Sequence, residues 1–165
     1  MTKHLQALVA ALRHELQQYG EMLALLDQQQ ELIIARAAEE VVELVTRIER
    51  QGDAMREARA QREQCRRTLA TAAAKSADTS FTQLLGALPP DYRPLIQALV
   101  EENNKLLTRI QQRVRQNHLL LSRSVDNMQR LINTLFPSRD PLVYNGYGRR
   151  TPPPSQPRPI YEAVG

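Results

Sequence analysis

The sequence has one cysteine, no tryptophan and two phenylalanines among 165 residues. A lone Cys65 excludes an intrachain disulfide framework and a cysteine-cluster zinc site. Aromatic residues make up 4% of the chain. Compact cores take much of their buried area from aromatic rings, so a chain this poor in them points to long Leu/Ala seams between helices. Proline is absent before Pro89, and Gly20 and Gly52 are the only glycines in the first 85 residues. All-β and doubly wound α/β folds need turn punctuation far more often, which excludes them. No apolar run approaches the roughly 20 residues that cross a bilayer. Gln6 and Arg13-His14-Glu15 break the first apolar stretch too soon for a signal peptide. The expectation is a soluble cytoplasmic protein with no direct membrane insertion.

Charge is present but spread. The net charge is +4. Residues 1–80 contribute −1, residues 81–136 contribute +3 and residues 137–165 contribute +2. Nucleic-acid binders concentrate basic charge on one face. Arg56, Arg59, Arg62, Arg66 and Arg67 recur along one stretch, but Glu57 and Glu63 interleave them and no aromatic is near to stack on a base. No nucleic-acid partner is expected.

What the chain does contain is helical periodicity. Leu5, Leu8, Leu12, Leu16, Tyr19, Leu23 and Leu26 recur at three- and four-residue steps, and Ile33, Ala37, Val41, Leu44 and Ile48 continue the stripe. The four-residue steps through Leu8, Leu12 and Leu16 read as a stutter. The pattern predicts one long helix over 3–74, with Gly52 as the place where it bends. Ser80 and Gln83 form a capping box that starts a short helix over 81–88, which Pro89-Pro90 ends. Asp91 can cap a second long helix over 92–136. Its seam runs through Ile96, Leu99, Asn103, Leu106, Ile110, Val114, Asn117, Leu121, Ser124, Met128, Leu131 and Leu135. Pro137 stops it. Residues 137–165 hold seven prolines and no helical period, which predicts a flexible, disordered tail.

The predicted fold is therefore all-α: an elongated antiparallel helical hairpin or bundle with coiled-coil-like seams, a short central helix and a disordered Pro-rich C-terminal tail. Residues 1–136 form the helical domain and 137–165 the tail. The lengths carry a conflict. An antiparallel hairpin lays 92–136 against about 31–75 and leaves the Leu5–Leu26 stripe uncovered. Either the first helix breaks and folds back, or another chain covers the stripe.

No constellation for catalysis stands out. His4, His14 and His118 lie on distant turns without metal-ligand spacing. There is no phosphate-binding glycine loop and no nucleophile elbow. Glu39, Glu40 and Glu43 sit beside Arg36 and Arg47 at ordinary helix-pair spacing. Arg66-Arg67 could lower the Cys65 thiol pKa, but a polar helix makes an incidental thiol the simpler reading. Asn103 and Asn117 on the seam read equally as register-setting polar residues and as hydrogen-bonding groups for a partner. Tyr144 and Tyr147 flank an Asn-Gly turn in the tail, where an exposed ring is a docking anchor.

These parts together resemble the FlgN family of flagellar type III export chaperones. The resemblance rests on the long N-terminal Leu/Glu/Gln helix, the short leucine segment and the final helix. That helix carries Asn117-x-x-Leu120-Leu121-x-x-Ser124, with a Leu near its end (Leu131 or Leu135). Tyr144-Asn145-Gly146-Tyr147-Gly148 fits the family's tyrosine–glycine turn approximately. About residues 3–148 are covered, and 149–165 have no counterpart. The resemblance implies a cytoplasmic chaperone that binds the C-terminal helices of the hook–filament junction (hook-associated) proteins. It would prevent their premature assembly and deliver them to the type III export gate through the cytoplasmic domain of FlhA. Carried over by residue, client binding falls on Asn117, Leu120, Leu121, Ser124, Met128, Leu131, Ile132 and Leu135. Gate docking falls on Tyr144 and Tyr147. No catalytic residue, cofactor or metal is implied. Two alternatives remain at this point. One is a generic coiled-coil adaptor that forms a homodimer. The other is a small all-helical enzyme of chorismate-mutase type, suggested by Arg36, Glu43 and Arg47.

Overall fold

A computed structural model describes residues 2–136. They form four helices: α1 (Thr2–Ile34), α2 (Ala38–Ala72), α3 (Phe81–Ala87) and α4 (Arg93–Leu135). The all-α class is as the composition implies. The chain divides into two units, Met1–Val125 and Asp126–Gly165, and the packing that follows belongs to the first.

The expected single helix over 3–74 is two helices, and the break is at Ala35-Arg36-Ala37 rather than at Gly52. Arg36 takes a left-handed φ of 57°. Its N–H donates to the Ile33 carbonyl at 3.1 Å, and the Ala37 N–H donates to the Leu32 carbonyl at 3.0 Å. These two bonds make a Schellman motif, which satisfies carbonyls that a helix end leaves without partners. Gly52 lies inside α2, where an added Cβ would meet only the flexible end of Arg56 at 3.9 Å. The other predicted bounds move by one or two residues. The short helix ends at Ala87, with Leu88 as its cap, and the last helix runs from Arg93 to Leu135.

The break resolves the conflict of lengths within one chain. α2 returns antiparallel along α1. Gln51 Nε2 donates to the Gln18 carbonyl and to its Oε1, both at 2.9 Å, and Arg62 Nε donates to Glu15 Oε2 at 3.1 Å. α4 runs parallel to α1. Asn103 Nδ2 donates to the Leu12 carbonyl at 3.1 Å and Asn117 Nδ2 to the Leu26 carbonyl at 2.8 Å, both at a sequence offset of 91. α1 is thus covered by α2 and by α4.

Burial along α1 follows this arrangement. Leu5, Leu8, Leu12, Glu15, Tyr19, Met22 and Leu26 are all buried. They alternate three- and four-residue steps without interruption, so the seam keeps its heptad where a stutter was expected. Glu15 holds the seam position, and Leu16 is half-buried beside it. Two clusters result. Leu5, Leu8 and Leu12 pack with Leu69, Ala70, Leu84, Leu88 and Ile96. Tyr19, Met22, Leu23 and Leu26 pack with Ile110, with Ile48 and Met55 at their margin. Each fully buried leucine here contributes about 1.5–3 kcal/mol relative to exposure.

The connector is held by side chains. α2 ends on a second Schellman motif with Ala74 at φ 55°. The Lys75 N–H donates to the Ala70 carbonyl at 2.9 Å and the Ala74 N–H to the Thr71 carbonyl at 3.0 Å. The buried Arg66 guanidinium donates to the carbonyls of Ala77 and Thr79 and to the Glu63 carboxylate. The Ser80–Gln83 capping box predicted for α3 is formed in both directions. Arg93 donates to the Leu88 and Gly86 carbonyls at 2.7 and 3.0 Å, which ties the end of α3 to the start of α4.

Candidate functional site

A concentrated polar site of the first unit is internal. Glu15 is 2% exposed. It accepts from the Tyr19 hydroxyl at 2.9 Å and from Arg62 Nε at 3.1 Å. A charged group this buried persists only when it is paired. Burial is the main force raising the Tyr19 phenol to about 12, and the hydrogen bond to Glu15 adds to it. Glu15 was not singled out by residue type. Its signal was positional: it fills the seam step between Leu12 and Tyr19.

A second ion cluster lies on α2. Glu63 accepts from Arg66 and Arg67 and lies 3.6 Å from Arg62 Nη1. The Arg66 hydrogen bond is the chief cause holding the Glu63 carboxyl down near 2, against an opposing effect of burial; the Arg67 bond adds to it. Arg56 pairs with Asp53. Four of the five arginines considered as a phosphate-binding stripe are therefore spent on carboxylates of this chain. Cys65 is half-buried against the first core cluster. The residues behind the enzyme alternative do not converge. Arg36 is exposed in the α1–α2 turn and Glu43 is exposed on α2. Arg47 lines an open groove of about 460 Å³ with Glu21, Arg50 and Gln51, which includes neither Arg36 nor Glu43. Among the described residues no group of three or more His, Cys, Asp or Glu could hold a metal ion, and no helix is long and apolar enough to cross a membrane.

The residues carried over for client binding separate into two kinds. Asn117 is 2% exposed, and its amide is spent on the Leu26 carbonyl and on Gln29 Oε1 at 2.9 Å. Leu120 is half-buried and Ser124 exposed. Leu121 is 37% exposed. From Asp126 onward every described side chain of α4 is exposed, including Met128, Leu131, Ile132 and Leu135. Val125 and Phe136 are further exposed apolar residues that the sequence reading did not select. Tyr144 and Tyr147 lie outside the described residues, as does the Pro-rich end.

Exposed large apolar side chains that recur along an amphipathic helix mark a surface that another element covers. Scattered single ones would need no explanation. The model of one protein family, described as FlgN protein, matches residues 1–152. No curated protein matches the chain, and no solved structure matches it.

Proposed function

From membership of the FlgN family, to which this chain belongs, we propose that it is a cytoplasmic flagellar export chaperone. Its clients are the C-terminal helices of hook–filament junction proteins. It keeps them from assembling early and delivers them to the type III export gate at the cytoplasmic domain of FlhA. The observation that carries this reading is the exposure of Leu121, Met128, Leu131, Ile132 and Leu135 on α4.

The mechanism is helix-in-groove capture. An assembly-prone client helix carries an apolar face. Laying that face on the exposed leucines, Met128 and Ile132 removes both surfaces from water at about 25 cal/mol per Å², before ordering costs. Ser124 stands among these residues and supplies a hydroxyl. Asn117 takes no part in this contact, because its amide already holds α1. Delivery requires release, so the affinity is moderate, on the order of micromolar to nanomolar. Tyr144 and Tyr147 are the proposed gate anchors. The reading needs no catalytic group, cofactor or metal.

Mixing the full-length chain with C-terminal helices of junction proteins, followed by light scattering behind a sizing column, tests it. The expected result is a one-to-one complex that Leu121→Glu weakens and Tyr144→Ala leaves intact. A chain that elutes as a stable dimer and takes up no client would instead support a coiled-coil adaptor.

A further inference from the structure

We propose that a hollow among α1, α2, α3 and α4 is a built site for bound water, anchored on Asn103 and shared by Glu15 and Arg62. The hollow has a volume of about 100 Å³ and is lined by Leu12, Glu15, Tyr19, Arg62, Asn103 and Leu107, among others. Asn103 is 5% exposed. Its two amide hydrogens go to the Leu12 and Leu99 carbonyls at 3.1 and 2.9 Å. Its Oδ1 is buried and meets no donor among the described residues. A buried acceptor left in that state is costly, so it takes a donor wherever one can enter.

The hollow satisfies the conditions for water. It is polar, and each water needs two to four partners. Asn103 Oδ1 accepts. Glu15 has lone pairs beyond those used by Tyr19 and Arg62. The remaining Arg62 N–H groups donate. At about 30 Å³ per molecule the volume admits about three waters. Arg59 and Asn104 line the hollow and are exposed, so solvent reaches it without opening the core. Glu15 and Arg62 already neutralise each other, and Arg59 is exposed and keeps its solvent, so no desolvated charge is left for an ion to pair with. Neutral water satisfies all the groups present. The waters then join a carboxylate of α1, a guanidinium of α2 and an amide of α4 in one layer.

Asn117 supplies an internal comparison. It also spends its amide hydrogens on protein acceptors and also leaves a buried Oδ1 without a donor. It does not line this hollow. Hydration can be read on the full-length chain by water-selective nuclear Overhauser spectroscopy, with rotating-frame spectra to remove chemical exchange. The expected result is long-lived water contacts at the Leu12 and Leu107 methyl groups and at the Asn103 side-chain amide, with none at the Asn117 amide. Asn103→Leu is expected to abolish the methyl contacts, and Asn103→Ser, which keeps an acceptor oxygen, to retain them. Absent contacts at Asn103 in the unaltered chain overturn the proposal, and so does equal hydration at Asn117. Methyl contacts that persist in a folded Asn103→Leu chain overturn the role of Asn103. These readouts involve no client, so their failure leaves the chaperone reading untouched.

Discussion

Asn117 on α4 and Leu26 on α1 are joined by a hydrogen bond of 2.8 Å from the asparagine amide to the leucine carbonyl. Asn103 and Leu12 repeat the contact two heptads earlier, at the same offset of 91. The Leu26 and Leu12 carbonyls lie within helix α1, so the asparagines add register without rescuing an unpaired helix end. Polar residues at seam positions cost stability and fix alignment. Asn117→Leu is therefore expected to stabilise the chain by about 1 kcal/mol, since it removes a buried acceptor that has no donor. It should leave client affinity unchanged, because the amide faces α1. Urea denaturation and client titration on the same variant check both halves.

The two helix ends in left-handed conformation make a second prediction. Arg36 and Ala74 carry a Cβ at φ 57° and 55°, where glycine has no steric penalty. Arg36→Gly and Ala74→Gly are each expected to stabilise by about 1 kcal/mol. Gly52→Ala should also stabilise, by about 0.5–1 kcal/mol, since the site is helical and open to a methyl. Had Gly52 been the bend, the sign for Gly52→Ala would be reversed. Denaturant midpoints at constant slope decide this.

Those same residues explain what the sequence did and did not reveal. The Ser80–Gln83 box was legible because both residues belong to a known capping pair. Pro89-Pro90 and Pro137 were legible because proline cannot continue a helix. The α1–α2 break was not, because Ala35-Arg36-Ala37 are ordinary helix formers and none is glycine or asparagine. Tertiary packing outweighs local preference there: turning back lets α2 and α4 cover the Leu5–Leu26 stripe. For the candidate site, the resemblance carries over the exposed apolar residues of α4 together with the buried Asn117 and does not separate them. The two differ in what lies opposite, which a one-dimensional pattern does not contain. The seam step between Leu12 and Tyr19 marks the place of Glu15 in the sequence, but its pairing with Arg62 is set by the return of α2 and is not legible there.

Glu63 sets the acid limit of the α2–connector junction. Its carboxyl falls from 4.5 to about 2 in the folded chain, chiefly through the Arg66 hydrogen bond. A folded value below the unfolded one means that the contribution is complete above about 4.5 and is lost as pH falls toward 2. The unaltered chain is expected to be more stable than Glu63→Gln at neutral pH, with the gap closing across that window. Melting temperatures of both chains as a function of pH provide the measurement.

Tyr19 sets the opposite limit. Its phenol rises from 10.0 to about 12 on folding, with burial as the main cause. A raised value means that the contribution is complete below pH 10 and is lost as pH rises through 12. Phenolate absorbance of the folded chain should contain a late step from Tyr19. Tyr19→Phe should remove that step and flatten the alkaline fall in stability.

Client capture on α4 can be read by amide hydrogen exchange with and without a junction-protein C-terminal helix. Saturating client is expected to slow exchange along α4 from Leu121 to Leu135, while the α1 and α2 amides change little. Met128→Glu is expected to abolish the effect. Protection confined to α1 or α2, or no protection in a verified complex, would contradict capture on α4.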